Sequence, residues 1–167
     1  MQRIIRLVSF GIVGLSILLT GCSSTSKKNY PVTVARFLVE ATGDDAGVNV
    51  QLPISQVTVR VSPKAMITEY DILSAQLVQS DLGPAVMFQL NQQAGRDLFR
   101  LSATNLGSRL VTTINGAAVG ARRMDRPIGD SVIISFIELP PEDLPELVTN
   151  INKTSSDLQK ELADRKK

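Results

Sequence analysis

The sequence predicts an α+β fold: an antiparallel sheet of about five to six strands, with two amphipathic helices packed on one face. Three observations carry this. Short apolar segments recur between turn residues, Asn115-Gly116 sits between two of them, and the stretches 92–106 and 139–151 place apolar residues at helical spacing.

Taken in order, Val32, Val34, Phe37, Leu38 and Val39 within 31–41 form a buried strand that the run Thr42 to Gly47 turns back. Val57, Val59 and Val61 alternate with Gln56, Thr58 and Arg60, which gives one core face and one wet face, and Pro63 stops the strand. Thr68-Glu69-Tyr70-Asp71 suggests one helical turn. Ala75 to Gln79 and Val86 to Leu90 are two strands joined across Asp81-Leu82-Gly83-Pro84. Asn91 is placed to cap a helix over 92–106, in which Ala94, Leu98, Leu101, Phe99 and Leu106 recur at helical spacing, Arg96, Asp97 and Arg100 face outward, and Gly107 ends the run. Asn115 and Gly116 both tolerate positive φ, so they make the tight turn of a hairpin between Leu110–Ile114 and Ala117–Arg122. Val132 to Ile137 adds a strand. Pro140-Pro141 with Glu142 and Asp143 starts a second helix whose buried stripe is Leu144, Leu147, Val148 and Ile151. Thr154-Ser155-Ser156 can break or recap it, leaving 157–167 as a charged tail or helix extension.

Ahead of this domain, Arg3 and Arg6 precede an apolar run from Leu7 to Thr20, and no acidic residue occurs before Glu40. The run is about fourteen residues, shorter than the roughly twenty a spanning helix needs, and reads as the core of an export signal. Leu19-Thr20-Gly21-Cys22 then looks like the lipobox of bacterial lipoproteins, with small residues at the scissile bond and the only cysteine as the thiol nucleophile. The expected layout is a signal peptide over 1–21 cleaved between Gly21 and Cys22, a lipidated Cys22 with its linker over 22–30, the α+β domain over 31–153, and the tail over 154–167. Each buried methylene of an acyl chain such as palmitate contributes about 0.8 kcal/mol, so several chains on Cys22 would hold the protein to a membrane that it does not cross. Ser23 and Ser24 carry no acid, which by resemblance to enterobacterial sorting rules favours the outer membrane over the inner, with the domain facing the periplasm.

The composition excludes much chemistry. Without histidine there is no His-dependent triad, proton shuttle or imidazole metal site, and the lone thiol is assigned to lipid. Ser62-Pro63-Lys64 has the wrong spacing for a serine–lysine pair, and Asp44-Asp45 offers two adjacent acids where a calcium loop needs alternating ligands. The glycines of Gly107-Ser108-Arg109 and of the stretch Gly116 to Gly120 lack the strand-then-helix context of a phosphate cradle. Neither a cofactor nor a metal is expected. Removal of Arg3 and Arg6 leaves sixteen basic and sixteen acidic residues, and there is no tryptophan, so nucleic acid is set aside as a partner. Arg122, Arg123 and Arg126 are the polar group that could receive an acidic partner, although strand alternation places neighbours on opposite faces and a solvated strand edge guarded by charge is the plainer reading, ahead of a binding site.

From Ala65 to about Ile151 the chain resembles the head subdomain in the first large periplasmic region of SecD and SecDF, accessory proteins of the export translocase. The residues that carry the resemblance are Thr68-Glu69-Tyr70-Asp71-Ile72 with Ala75, Val86-Met87-Phe88-Gln89-Leu90, Ala94-Gly95-Arg96, Thr104 to Leu110, Ile114-Asn115-Gly116, Arg126-Pro127-Ile128 and Glu142 to Leu147. The resemblance implies an α+β head of ferredoxin-like flavour able to contact unfolded or emerging polypeptide. It does not extend to the transmembrane helices or their acids, and the apolar run Asp130 to Ile137 stands where SecD has a glycine-rich stretch. The expectation is therefore a lipid-anchored envelope protein, not an enzyme, whose domain binds a protein partner and contacts exported polypeptides. The alternative is a structural lipoprotein that scaffolds an envelope complex; a His-free hydrolase built on paired carboxylates is a third.

Overall fold

The structure, a computed structural model, describes residues 28–129 and 131–165. Gly21 and Cys22, and with them the expected cleavage and lipidation sites, lie outside the described residues. Among the described residues, eight strands and two helices make an α+β fold: β1 (Ala35–Val39), β2 (Val48–Gln51), β3 (Thr58–Val61), β4 (Ile72–Ser80), β5 (Gly83–Leu90), α1 (Gln92–Thr104), β6 (Arg109–Ile114), β7 (Ala117–Arg123), β8 (Val132–Ser135) and α2 (Leu144–Asp164), the last entered through a 3-10 turn at Pro141–Asp143. All pairings are antiparallel. They divide into three sheets, ordered β1-β6-β7, β2-β3 and β4-β5-β8. The expected sheet of five to six strands is thus matched only roughly, because six strands are shared between two triplets that touch at one seam. At that seam the Glu138 N–H donates to the Val119 carbonyl at 2.6 Å, and the buried hydroxyls of Thr112 and Ser135 meet at 2.6 Å.

Local signals set most of the elements. Asn91 sits in extended backbone and its Oδ1 accepts the Ala94 N–H at 2.8 Å, which satisfies one of the orphan donors at the start of α1. Asn115 and Gly116 turn the β6–β7 hairpin at φ 49° and 86°, the left-handed values its twist demands. Thr68–Asp71 forms a turn and not a helix: the Asp71 N–H donates to the Thr68 carbonyl, and the Asp71 carboxylate accepts both the backbone and hydroxyl hydrogens of Thr68. α2 runs through Thr154-Ser155-Ser156 without a break. Thr154 and Ser155 are buried there, and the Thr154 hydroxyl donates to the Asn150 carbonyl while accepting the Thr33 N–H.

One core joins both triplets and both helices. Phe37 of β1 and Phe88 of β5 meet edge to face at 5.1 Å, with Ile67, Ile72, Leu98, Leu110, Ile133 and Ile151 around them. A smaller cluster of Val59, Val61 and Val111 seats the β2–β3 ribbon on β6. The far margin of β4 is closed by α2. The Asn152 side-chain amide accepts the Ala75 N–H at 2.7 Å and donates to the Ala75 carbonyl at 2.8 Å, the two bonds a neighbouring strand would make.

Two carboxylates fasten loops to this frame. Glu69 takes both forks of the Arg36 guanidinium at 2.6 and 2.7 Å, and Glu138 accepts the Ile54 N–H, the Ser55 N–H and the Ser55 hydroxyl at 2.7 to 2.9 Å. The Arg36 bond holds Glu69 below the ordinary carboxylate value; Glu138 is raised by burial, but the three bonds from Ser55 and Ile54 outweigh this and leave it lowered. Depressed values contribute stability that is whole above the unfolded value of 4.5 and is lost as pH falls through the folded values. The urea midpoint should therefore decline below about pH 4.5. Glu138→Gln is expected to begin from a lower midpoint at neutral pH and to decline less; an unchanged slope would remove Glu138 from the account.

Candidate functional site

β8 has a partner on one side only. The Leu90 N–H donates to the Ser131 carbonyl at 2.8 Å, and the register pairs Phe88 with Ile133 and Val86 with Ser135. By antiparallel alternation, Ile133 and Ser135 spend their backbone groups on β5, while those of Val132 and Ile134 point the other way. β7 approaches from that side and then swings off. It is bonded at Val119 and passes so close to the Phe136 carbonyl at Gly120 that no Cβ fits there. Two residues further, Arg122 reaches β8 only by its side chain, Nη1 donating to the Ile134 carbonyl at 3.3 Å. A guanidinium spans the gap that a backbone pairing would close.

The opened seam leaves a groove of ≈ 520 Å³ lined by Phe99, Ile128, Val132 and Ile134 together with Arg122 and Arg126. On the far side of the two arginines a second hollow of ≈ 610 Å³ adds Leu82, Phe136, Arg123 and Asp125. Both volumes fall in the range of ligand-sized clefts. Of the three arginines marked in the sequence, Arg122 and Arg126 therefore share the groove, and Arg123 lines only the second hollow, where it pairs with Asp125 at 3.5 Å. All three arginines line that second hollow, so Arg122 and Arg123 are not kept in separate hollows. Arg126 returns to the side of Arg122 because β7 ends at Arg123, the Met124 side chain is buried, and the chain turns. Arg122 is held below the ordinary arginine value, first by burial and then by the like charge of Arg126, with Asp125 opposing; it remains a cation.

The sequence reading missed Phe99. Its helical spacing groups it with the buried stripe of α1, but it is 51% exposed and lines the groove. The buried face centres on Ala94, Leu98 and Ser102, and a residue one step past Leu98 lies about 100° around the helix. Leu106, also assigned to that stripe, is exposed because α1 has already ended at Thr104. The exposure of Phe99 and Ile134 needs tertiary placement to be seen. The groove offers two cations, apolar walls and unpaired strand groups. Among the described residues no cluster of three metal-ligating side chains occurs.

No protein-family model and no curated relative matches the chain. Solved structures do. A structure of SecDF, a membrane component that enhances protein export, superposes with a TM-score of 0.55 at 14% identity, over 72% of this chain and 62% of that one. The chain shares its fold with SecDF. A second SecDF structure, in a super-membrane-facing form, gives a TM-score of 0.55 at 16% identity over 72% of this chain and 18% of that one. The likeness to SecD and SecDF read between Ala65 and Ile151 is thereby met in three dimensions, at the level of fold. The chain spans less than two thirds of either SecDF chain. Among its described residues no helix is long and apolar enough to cross a membrane.

Proposed function

We propose that this is a lipid-anchored protein of the cell envelope whose SecDF-like domain binds polypeptide without catalysing a reaction, and that its clients include chains in transit across the envelope. The observation that carries the reading is the unpaired margin of β8 beside an apolar groove, since strand addition at such a margin is a general way to hold an extended chain by its backbone. Support for the anchor comes from the sequence alone, from Arg3 and Arg6, the apolar run and Leu19-Thr20-Gly21-Cys22. By resemblance to enterobacterial sorting rules, Ser23 and Ser24 favour the outer membrane, with the domain facing the periplasm. The test is a photo-crosslinking amino acid at position 134 of the full chain, expressed in a bacterium and pulse-labelled. Crosslinks to many newly exported chains are expected; one stoichiometric partner would instead favour a scaffold, and an unacylated Cys22 in the mature protein's mass spectrum would refute the anchor.

A further inference from the structure

The residues of the groove also say what kind of segment it takes. We infer that the seam between β7 and β8 accepts an extended segment carrying an acidic side chain, which pairs its backbone with Val132 and Ile134 and places its carboxylate on Arg122 and Arg126. This rests on the polypeptide-binding reading and specifies its client chemistry.

Charge complementarity argues for it. Arg122 and Arg126 line one groove, close enough that the charge of Arg126 disfavours that of Arg122, and no described carboxylate lies within ion-pairing distance of Arg126. Two crowded guanidinium groups on an apolar wall are relieved by an incoming anion, and a guanidinium meets a carboxylate through paired, charge-assisted bonds. Arg96 and Arg100 stand on the adjoining stretch of α1, where a shallower hollow runs from Arg96 past Phe99 to Ser131, so the approach to the groove is basic as well. Among the described residues, two neighbouring acids are already engaged: Asp97 lies 3.8 Å from Arg100 and accepts from Gln93, and Asp125 pairs with Arg123.

Backbone geometry supplies the other half. The Ile134 carbonyl is held by Arg122 through a single bond of 3.3 Å, longer than a good N–H···O bond. An entering strand can take over that carbonyl and free the guanidinium for the carboxylate of the same strand. Phe99, Val132 and Ile134 then cover the apolar residues that flank the acid. Strand addition fixes direction and register, and the arginines choose which segment is held in that register.

The experiment uses the full chain purified in detergent micelles and three fluorescent eight-residue peptides. One alternates valine and threonine around a central glutamate, the second has glutamine in its place, and the third is the glutamate peptide methylated on alternate backbone nitrogens. In anisotropy titrations at low salt the glutamate peptide is expected to bind about tenfold more tightly than the glutamine peptide, the size of one charge-assisted contact, and the methylated peptide to bind far more weakly. Arg122→Gln and Arg126→Gln should each bring the ratio of the glutamate and glutamine peptides' affinities toward one. Arg126 makes no bond to the frame among the described residues, so its variant tests the idea even where Arg122→Gln loosens β7. Hydrogen exchange at the Ile134 amide is expected to slow at least tenfold on saturation with the glutamate peptide. Equal affinity for the glutamate and glutamine peptides, or a preference untouched by Arg126→Gln, overturns the acidic specificity but leaves polypeptide binding standing. Absence of binding by every peptide overturns both.

Discussion

Phe88→Ala is expected to lower the free energy of unfolding by about 3–5 kcal/mol, the cost of deleting a fully buried aromatic ring and leaving a hole. Phe88 has no exposed surface and lies on β5, the central strand of its sheet, with β4 on one side and β8 on the other. Its ring stands edge-on to Phe37 of the other triplet, so the pair is a direct apolar contact between the two sheets. Single domains are stable by only about 5–15 kcal/mol, so the variant should unfold at a much lower urea concentration and give up much of its working margin. Urea melts of the wild type, both single alanine variants and the double variant would measure the contact. Losses in Phe37→Ala and Phe88→Ala that simply add would show that the rings do not cooperate.

Gly120→Ala should be nearly as damaging for an unrelated reason. The glycine lies where β7 crosses the chain leaving β8, and a methyl group there would occupy the place of the Phe136 carbonyl oxygen, which is backbone and cannot swing aside. Relief requires β7 to lift from the seam, which strains or breaks the bond between Glu138 and Val119 next to it. Overpacking of this kind costs about 1–3 kcal/mol and more where backbone must move. Thermal melting should fall accordingly, and the Glu138 amide should exchange its hydrogen faster than in the wild type. A variant as stable as the parent, with that amide still protected, would mean that the seam is softer than its geometry implies.

Much of the fold is written in short stretches of sequence. Asn91, Asn115-Gly116 and the Pro140-Pro141-Glu142-Asp143 entry each act on their own neighbours, through a cap, a turn and a blocked N–H, and each sits where its chemistry puts it. β2 alternates Val48 and Val50 with Asn49 and Gln51, but over four residues that signal is too short to stand alone, and the strand exists by pairing with β3. The division into triplets was equally hidden. It depends on where β7 parts from β8, and that is fixed by a glycine and a carbonyl some sixteen positions apart in the chain. The candidate site was half legible: Arg122 and Arg126 stand out as part of the charged run Arg122 to Arg126, while Phe99 looks like core until α1 is docked and its true buried face is known. Local rules describe elements; a groove is a relation between them.

The Asn152 amide gripping Ala75 has a consequence for how molecules of this protein behave in a crowd. With both backbone groups of Ala75 bonded to Asn152, a strand from another copy that pairs along β4 has to displace that side chain or register beyond it, which narrows the stretch of this margin open to addition.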